Sequence, residues 1–311
     1  MYKGLSCIHT LQRSAVVFYG EVLADIFPDH SVLGGAPFNV ARHLKAFGGN
    51  PILISRLGHD ELSEEVLRAM LQNGMDTVGI QRDNSHPTGQ VKVHMEDGTH
   101  RFEILPTQAY DFINPATARM NVLSSHPVLI YFGTLAQRNL TSKDALSSLL
   151  GSTDAVRFLD INLRPPWYDE KILRQSLGYA DILKLNIDEL EVMVKMFGLS
   201  AGAVQDSALQ LIALFDLEQV LITCGDKGAL LICKDGKVIE SYLKGSAFNF
   251  VDSVGAGDGF STICILGALH GWTMHSILER ANAFAAAICG IRGAIPENEK
   301  FYMPFTKEWG I

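Results

Sequence analysis

The chain has 311 residues, 47% of them hydrophobic, which is enough to bury a large core as one domain or two smaller ones. A formal net charge of −8 argues against a general nucleic-acid surface, although local backbone dipoles can still hold a small anion. Five scattered cysteines without a CxxC pair, and ten histidines without an HExxH cluster, argue for reduced core thiols rather than disulfides or structural zinc.

The first dozen residues, opening MYKGLSCIHT, lack a sustained apolar segment and are expected to be a loosely ordered lead-in rather than a signal peptide. "AVVFYG" reads as a short strand ending at glycine, and "GGAPFNVARHLKAFGG" as a loop that becomes a helix with Val40, Leu44 and Phe47 on one face. "PILISRLG" is the next strand, followed by the amphipathic helix "DELSEEVLRAMLQNG", with acids in its first turn and Gly74 at its end. From Thr88 to Leu105 apolar and polar residues alternate around "EDG", which predicts a hairpin with one exposed face, a lid rather than part of the main sheet.

After that hairpin an α/β rhythm resumes. "VLIYFG", "VRFLDINLR", "DILKLN" and "VLITCG" are strands, the first three followed by the helical "TSKDALSSLL", "YDEKILRQSL" and "IDELEVMVKMFG". "VLITCG" instead leads through a glycine turn into the strand "ALLICK", and two apolar helices close the chain. Strands that are apolar throughout fit a parallel sheet covered on both faces. The expectation is one α/β domain over residues 16–300, in three layers, with a mostly parallel central sheet and a small β lid from segments near 20–35 and 76–110. No run reaches the roughly 20 apolar residues of a membrane span, so a soluble, cytoplasmic protein is expected.

Six segments can carry chemistry. In "DSVGAGDGF", Gly255, Ala256 and Gly257 precede a helix, where their N–H groups and the helix dipole can hold an anion. Asp258 beside an anion makes sense as a base for the nucleophile that attacks it, but an N-cap explains it equally well. Asp25 follows the first strand, where an open α/β sheet binds ligands. Gly35 permits close approach of a ligand, and Asn39 offers a hydroxyl-rich substrate a donor and an acceptor, or is a helix cap. Asp160, Asn162 and Arg164 alternate, which puts them on one side if the strand continues. Asn186 and Glu189 have the spacing of a capping box and, alternatively, of a water-mediated Mg²⁺ and phosphate contact. "TCGDKG" is a hairpin turn or a nucleotide-phosphate loop. There is no GxxxxGK[ST], and the glycines at 255, 257 and 259 do not fit GxGxxG.

In their order, "GGAPFNVA", "DINLR", "NIDE", "TCGDKG" and "DSVGAGD" closely resemble the PfkB, or ribokinase-like, family of sugar kinases, over about residues 16–296. The resemblance implies ATP-dependent phosphorylation of a sugar hydroxymethyl group, with Asp258 as general base and Gly255, Ala256 and Gly257 stabilising the transferring phosphoryl. It implies that Asp25, Gly35 and Asn39 hold the sugar, with Arg101 and Arg164 as basic candidates beside it. Asn186 and Glu189 would serve Mg²⁺-bound phosphates, Thr223, Gly225 and Gly228 would line the nucleotide, and Asn282 would lie near the adenine. Asp252 and "GIRGAIP" resemble the place where family members bind K⁺. "GEVLAD", "GGAPFNVA", "LDINLRPPW" and "RGAIP" look most like the fructokinase branch, with a 2-keto-3-deoxygluconate kinase or another PfkB sugar or nucleoside kinase as the alternative and a catalytically silent sugar-binding protein as a more distant one. The resemblance also implies a homodimer paired through the lid.

Overall fold

The computed structural model describes residues 3–7, 14–96, 99–243 and 250–311. In chain order the first half contains β1 (Ala15–Tyr19), β2 (Leu23–Ile26), β3 (Ser31–Gly34), α1 (Ala36–Ala46), β4 (Asn50–Leu57), α2 (Glu61–Gln72), β5 (Ile80–Arg82), β6 (Gly89–Glu96) and β7 (Thr99–Ile104). Then follow α3 (Pro115–Ser125), β8 (Leu129–Phe132), α4 (Leu140–Leu150), β9 (Val156–Asp160), α5 (Glu170–Tyr179), β10 (Ile182–Asn186), α6 (Ile187–Met196) and α7 (Val204–Phe215). The last part comprises β11 (Gln219–Thr223), β12 (Ala229–Cys233), β13 (Val238–Ser241), α8 (Ala256–Leu269), α9 (Met274–Ile288) and α10 (Met303–Trp309).

Among the described residues the main sheet has the order β13-β12-β11-β10-β9-β8-β1-β4-β5. Pairing is parallel from β11 through to β5, and antiparallel only at β11–β12 and β12–β13. Its central strands are buried on both faces, which is why β1 and β8 read as unbroken apolar runs. Alternate residues of β1 enter different cores: Val16 and Phe18 pack with α1, α8 and α9, while Val17 and Tyr19 pack with α4, α5 and α7. The result is a three-layer α/β/α arrangement. No helix among the described residues is long and apolar enough to cross a membrane.

A second sheet has four strands in the order β3-β2-β6-β7. β6 and β7 are the alternating hairpin expected from the sequence, paired with Val91 opposite Ile104; Asp97 and Gly98 of its "EDG" turn lie outside the described residues. β2 was not expected as a strand: "LADI" pairs with both β3 and β6, so Asp25 stands on a strand, not on a loop. β2 begins only four residues after β1 ends, which roots the small sheet at the carboxyl edge of the main one.

Local sequence explains the element ends. Asp60 caps α2, accepting from Ser63 N at 2.8 Å, with Glu61 and Glu64 in the first turn as the positive helix end prefers. The described part of the N-terminal lead-in departs from expectation, because it is docked: Leu5 is buried and its N–H donates to Gln219 Oε1 at 2.8 Å. α3, α7 and β13 were not foreseen. α3 has almost no amphipathic pattern, and only Ala118 and Val122 are buried on it.

Candidate active site

β1, β8, β9, β10 and β11 run parallel, so their carboxyl ends gather Glu21, Asp160, Asn186 and Thr223 along one edge. Asn186 lies directly beside Thr223 in the β10–β11 register. α8 starts at the same place. Its N-cap is Gly255, at φ +79°, and a side chain there would run into Ala294 Cα and Cβ. Only glycine fits both the backbone angle and this approach of the 290–296 loop. The N–H groups of Gly257 and Asp258 fall in the first turn, where a helix has no carbonyl to offer them. That end attracts anions.

Asp258 is the third residue of α8 and is not its cap; among the described residues no side chain caps this helix. The carboxylate accepts instead from Asn39 Nδ2 at 2.8 Å. Asn39 lies within α1, also not at its cap, and its buried Oδ1 has no partner among the described residues. Burial pushes the Asp258 carboxyl up to about 6, and the neighbouring Asp160 charge adds to this. The Asn39 bond and the Lys184 and Arg164 cations pull in the opposite direction. A half-buried carboxylate with these neighbours is ionised at neutral pH and a better base than a solvated one.

Two more carboxylates share this surrounding. Glu21, just past β1, is buried, and burial pushes it up to about 7 against the pull of Arg164, with Asp258 adding repulsion. Its Oε2 has no partner among the described residues. Asp25 is half-buried on β2, and burial raises it too, again against Arg164. Arg164 is thus the shared positive charge for Glu21, Asp25 and Asp258.

Beneath α8 lies a buried polar network. Lys184 Nζ bonds Asp160 Oδ1 at 3.1 Å and Oδ2 at 3.2 Å. Asp160 Oδ2 also accepts from Tyr131 OH at 3.0 Å and Ser261 Oγ at 2.8 Å. The alternation expected for Asp160, Asn162 and Arg164 does not occur. β9 ends at Asp160, Asn162 takes φ +38°, and the backbone turns away, leaving Asp160 buried and Arg164 exposed.

Asn186 and Glu189 form the capping box that their spacing predicts. Glu189 N donates to Asn186 Oδ1 at 2.8 Å, and Asn186 N donates to Glu189 Oε2 at 2.9 Å. Glu189 Oε1 accepts from Leu163 N at 2.8 Å, which fastens the loop carrying Arg164. In the turn after β11, Gly225 and Gly228 have φ +60° and +99°, and a side chain on Gly228 would collide with Ser241 O. Asn282 is buried, and its Nδ2 donates to Ser241 O at 2.9 Å and Oγ at 3.1 Å, tying α9 to β13. Asp252 accepts from Val254 N at 3.1 Å and Gly293 N at 3.3 Å, joining the two loops before and after α8 and α9. Arg101 is exposed on β7.

The family model described as pfkB family carbohydrate kinase matches residues 8–300. The chain belongs to the pfkB family of carbohydrate kinases. Among curated relatives of this pfkB chain, the fructokinase of Escherichia coli is 28% identical over 260 residues, covering 78% of this chain and 80% of the relative. Among solved structures, the fructokinase with bound ATP from Xylella fastidiosa superposes with a TM-score of 0.79 at 19% identity, covering 96% of this chain and 99% of that one. A Vibrio cholerae fructokinase double mutant in a fructose, ADP and potassium ion bound form gives 0.73 at 22% identity, covering 93% and 97%. At such identities these structures establish the fold, a ribokinase-like α/β arrangement with a separate small sheet.

Sequence reasoning missed two charged residues that the structure of this pfkB chain brings to the same edge. Lys184 lies in an apolar strand, "DILKLN", where a lone lysine between leucines is itself a sign of a buried, paired cation. Glu21 directly follows β1, in the same stretch as Asp25, and could have been found as a charged residue at the end of a buried strand.

Proposed function

We propose that the chain is an ATP-dependent sugar kinase that phosphorylates a hydroxymethyl group of a neutral sugar, fructose being the first candidate, to give fructose 6-phosphate. The observation that carries this reading is Asp258. It is a carboxylate of raised basicity, held by Asn39 at 2.8 Å, in the first turn of a helix whose N–H groups await an anion. In this reading Asp258 takes the proton of the attacking hydroxyl as the oxygen–phosphorus bond forms. The Gly255, Ala256 and Gly257 turn holds the phosphoryl oxygens, with the N–H groups of Gly257 and Asp258 as donors, since that of Ala256 already bonds Ser253 O. Phosphoryl transfer asks the protein mainly for positioning and charge stabilisation, and both are within reach of this geometry.

Asp25, Gly35 and Asn39 hold the sugar, with the unpartnered Asn39 Oδ1 accepting from a hydroxyl. Arg164 and Arg101 stand as cations over the sugar side. The nucleotide follows the β10–β11 edge, along Asn186, Thr223, Gly225 and Gly228, with Asn282 behind it. Among the described residues no three His, Cys, Asp or Glu side chains are arranged to hold a metal ion. Magnesium would therefore be held by the nucleotide phosphates, reached through water by Asn186 and Glu189, and would supply neutralisation of phosphate charge. Asp252 and the 290–296 backbone are the place for a potassium ion. β3 and β7 are the edges of the small sheet, and pairing there would give a homodimer, readable by size-exclusion chromatography.

The choice of a neutral sugar over a sugar acid rests on charge. Glu21, Asp25 and Asp258 already share one arginine, and a substrate carboxylate would add a fourth anion. The testing experiment is a sugar panel with ADP release as readout. Turnover highest with fructose supports the reading, and turnover highest with 2-keto-3-deoxygluconate overturns the neutral-sugar choice. Sugar binding by calorimetry without turnover of any sugar would make this a silent binding protein.

A further inference from the structure

Lys184 belongs to none of the motifs that identify the family here, yet it is a buried cation set against the glycine turn. A Cβ built on Gly257 would lie 3.0 Å from Lys184 Nζ. The ammonium therefore lies against the backbone of the first turn of α8, with only the bare Cα of Gly257 in between. Ile182, Lys184 and Asn186 share one face of β10, the face that packs toward α8. The side chain is buried, and Asp160 grips it through both carboxylate oxygens. Tyr131 OH and Ser261 Oγ donate to the same Asp160, which fixes that carboxylate and clamps the lysine beside it. Ser261 is itself on α8, so the clamp and the anion-attracting turn are parts of one rigid body.

We propose that Lys184, clamped by Asp160, is a positioning and charge-stabilising residue that holds a fixed positive charge beneath the Gly255–Gly257 turn for the transferring phosphoryl group. This rests on the kinase reading of the site. The chemical argument is one of balance. Asp160, Asp258 and Glu189 all act on Lys184 as negative charges. An arriving phosphoryl is a further anion, and Arg164, the other cation acting on Asp258, is exposed. An ammonium that is buried and already oriented pays no reorganisation cost as negative charge gathers on the phosphoryl oxygens. A lysine that only filled the core would need neither the glycine beside it nor two further donors on its counter-ion.

The test uses the full chain with ATP and the best sugar from the panel. Removing Lys184 alone strands Asp160 as a buried unpaired charge, so the primary variant is the neutral double Asp160→Asn/Lys184→Met, which removes both charges together. The expected result is a fall in kcat of about 10²-fold, the size of losing one preorganised electrostatic group, with the KM for sugar within about threefold of wild type. The acid limb of kcat/KM is expected to stay near its wild-type position or move slightly lower, because the repulsion of Asp258 by Asp160 and its attraction by Lys184 are removed together. A folded double variant with wild-type kcat, or one in which kcat falls and the sugar KM rises together, overturns the proposal. A second measurement needs no variant: the ζ-ammonium resonance of Lys184, assigned through side-chain correlations in lysine-labelled protein, is followed on adding ADP, aluminium fluoride and sugar. A shift with slowed proton exchange is expected, and no change refutes the role. If wild type turns over no sugar at all, the kinase reading fails first, and the proposal with it.

Discussion

Replacing Asn39 by leucine removes the one side-chain donor to Asp258 among the described residues while keeping the branched outline of the side chain. A hydrogen bond to a charged group is worth about 1.5–3 kcal/mol, and about 1.4 kcal/mol corresponds to one pKa unit. The Asp258 carboxyl, at about 6 in the native protein, should therefore titrate about one to two units higher in Asn39→Leu. The free enzyme's base shows itself in the acid limb of kcat/KM against pH. With the limb near 6, about nine-tenths of the base is ionised at pH 7; moved up by one to two units, about half to a tenth is. The expected profile thus loses roughly two- to tenfold at pH 7 and recovers in proportion by about pH 9. Loss of Asn39 Oδ1 from the sugar side lowers the plateau as well, but a change of plateau does not move a limb. The assay is direct quantification of ADP from fructose and ATP between pH 5 and 9. A variant with a depressed plateau and a limb where wild type has it would refute the claim that Asn39 tunes this base.

Gly255→Ala places a side chain at φ +79° and against Ala294, so stability should fall by about 2–5 kcal/mol, from left-handed strain plus overpacking, seen as a lower midpoint in urea unfolding. Glu21 titrates near 7 when folded, against about 4.5 when unfolded, so the folded state holds its proton over a window in which the unfolded state releases it. Stability is lost as pH rises through that window, and Glu21→Gln should gain on wild type by roughly 3 kcal/mol between pH 4.5 and 7, then remain level; a pH-independent difference would be wrong for a buried acid. His43 acts with the opposite sign. Burial holds it neutral, down at about 3, so its contribution is lost as pH falls below about 6.5, and His43→Gln should flatten the acid side of the unfolding curve.

How much of this was legible in the sequence depends on the range of the interaction. The main sheet was readable because a strand such as β8 is buried on both faces and is therefore apolar throughout, whatever its neighbours. The glycine turn was readable for a similar reason: Gly255 answers a backbone angle, a local demand. The capping box of Asn186 and Glu189 lies within four residues and appears as its spacing predicts. By contrast, whether Asp258 caps its helix or faces Asn39 is decided by a contact across 219 positions, and no local pattern carries that. The Asp160 network draws on four separate elements, β8, β9, β10 and α8. Local alternation placed Asp160 with Arg164, whereas the strand ends between them. β2 was missed because four residues with a central aspartate show no clear period, and its pairing with β6 supplies the order that its own sequence lacks.

The central claim is that Asp258 is the base of a sugar kinase, and the most direct measurement is ADP formation from ATP and fructose by wild type and Asp258→Asn. The account predicts fructose-dependent ADP release by wild type. It predicts at least a ~10²-fold lower kcat in the variant, the low end of general-base effects, with sugar and nucleotide still bound in calorimetry. Near-wild-type turnover by Asp258→Asn would contradict it.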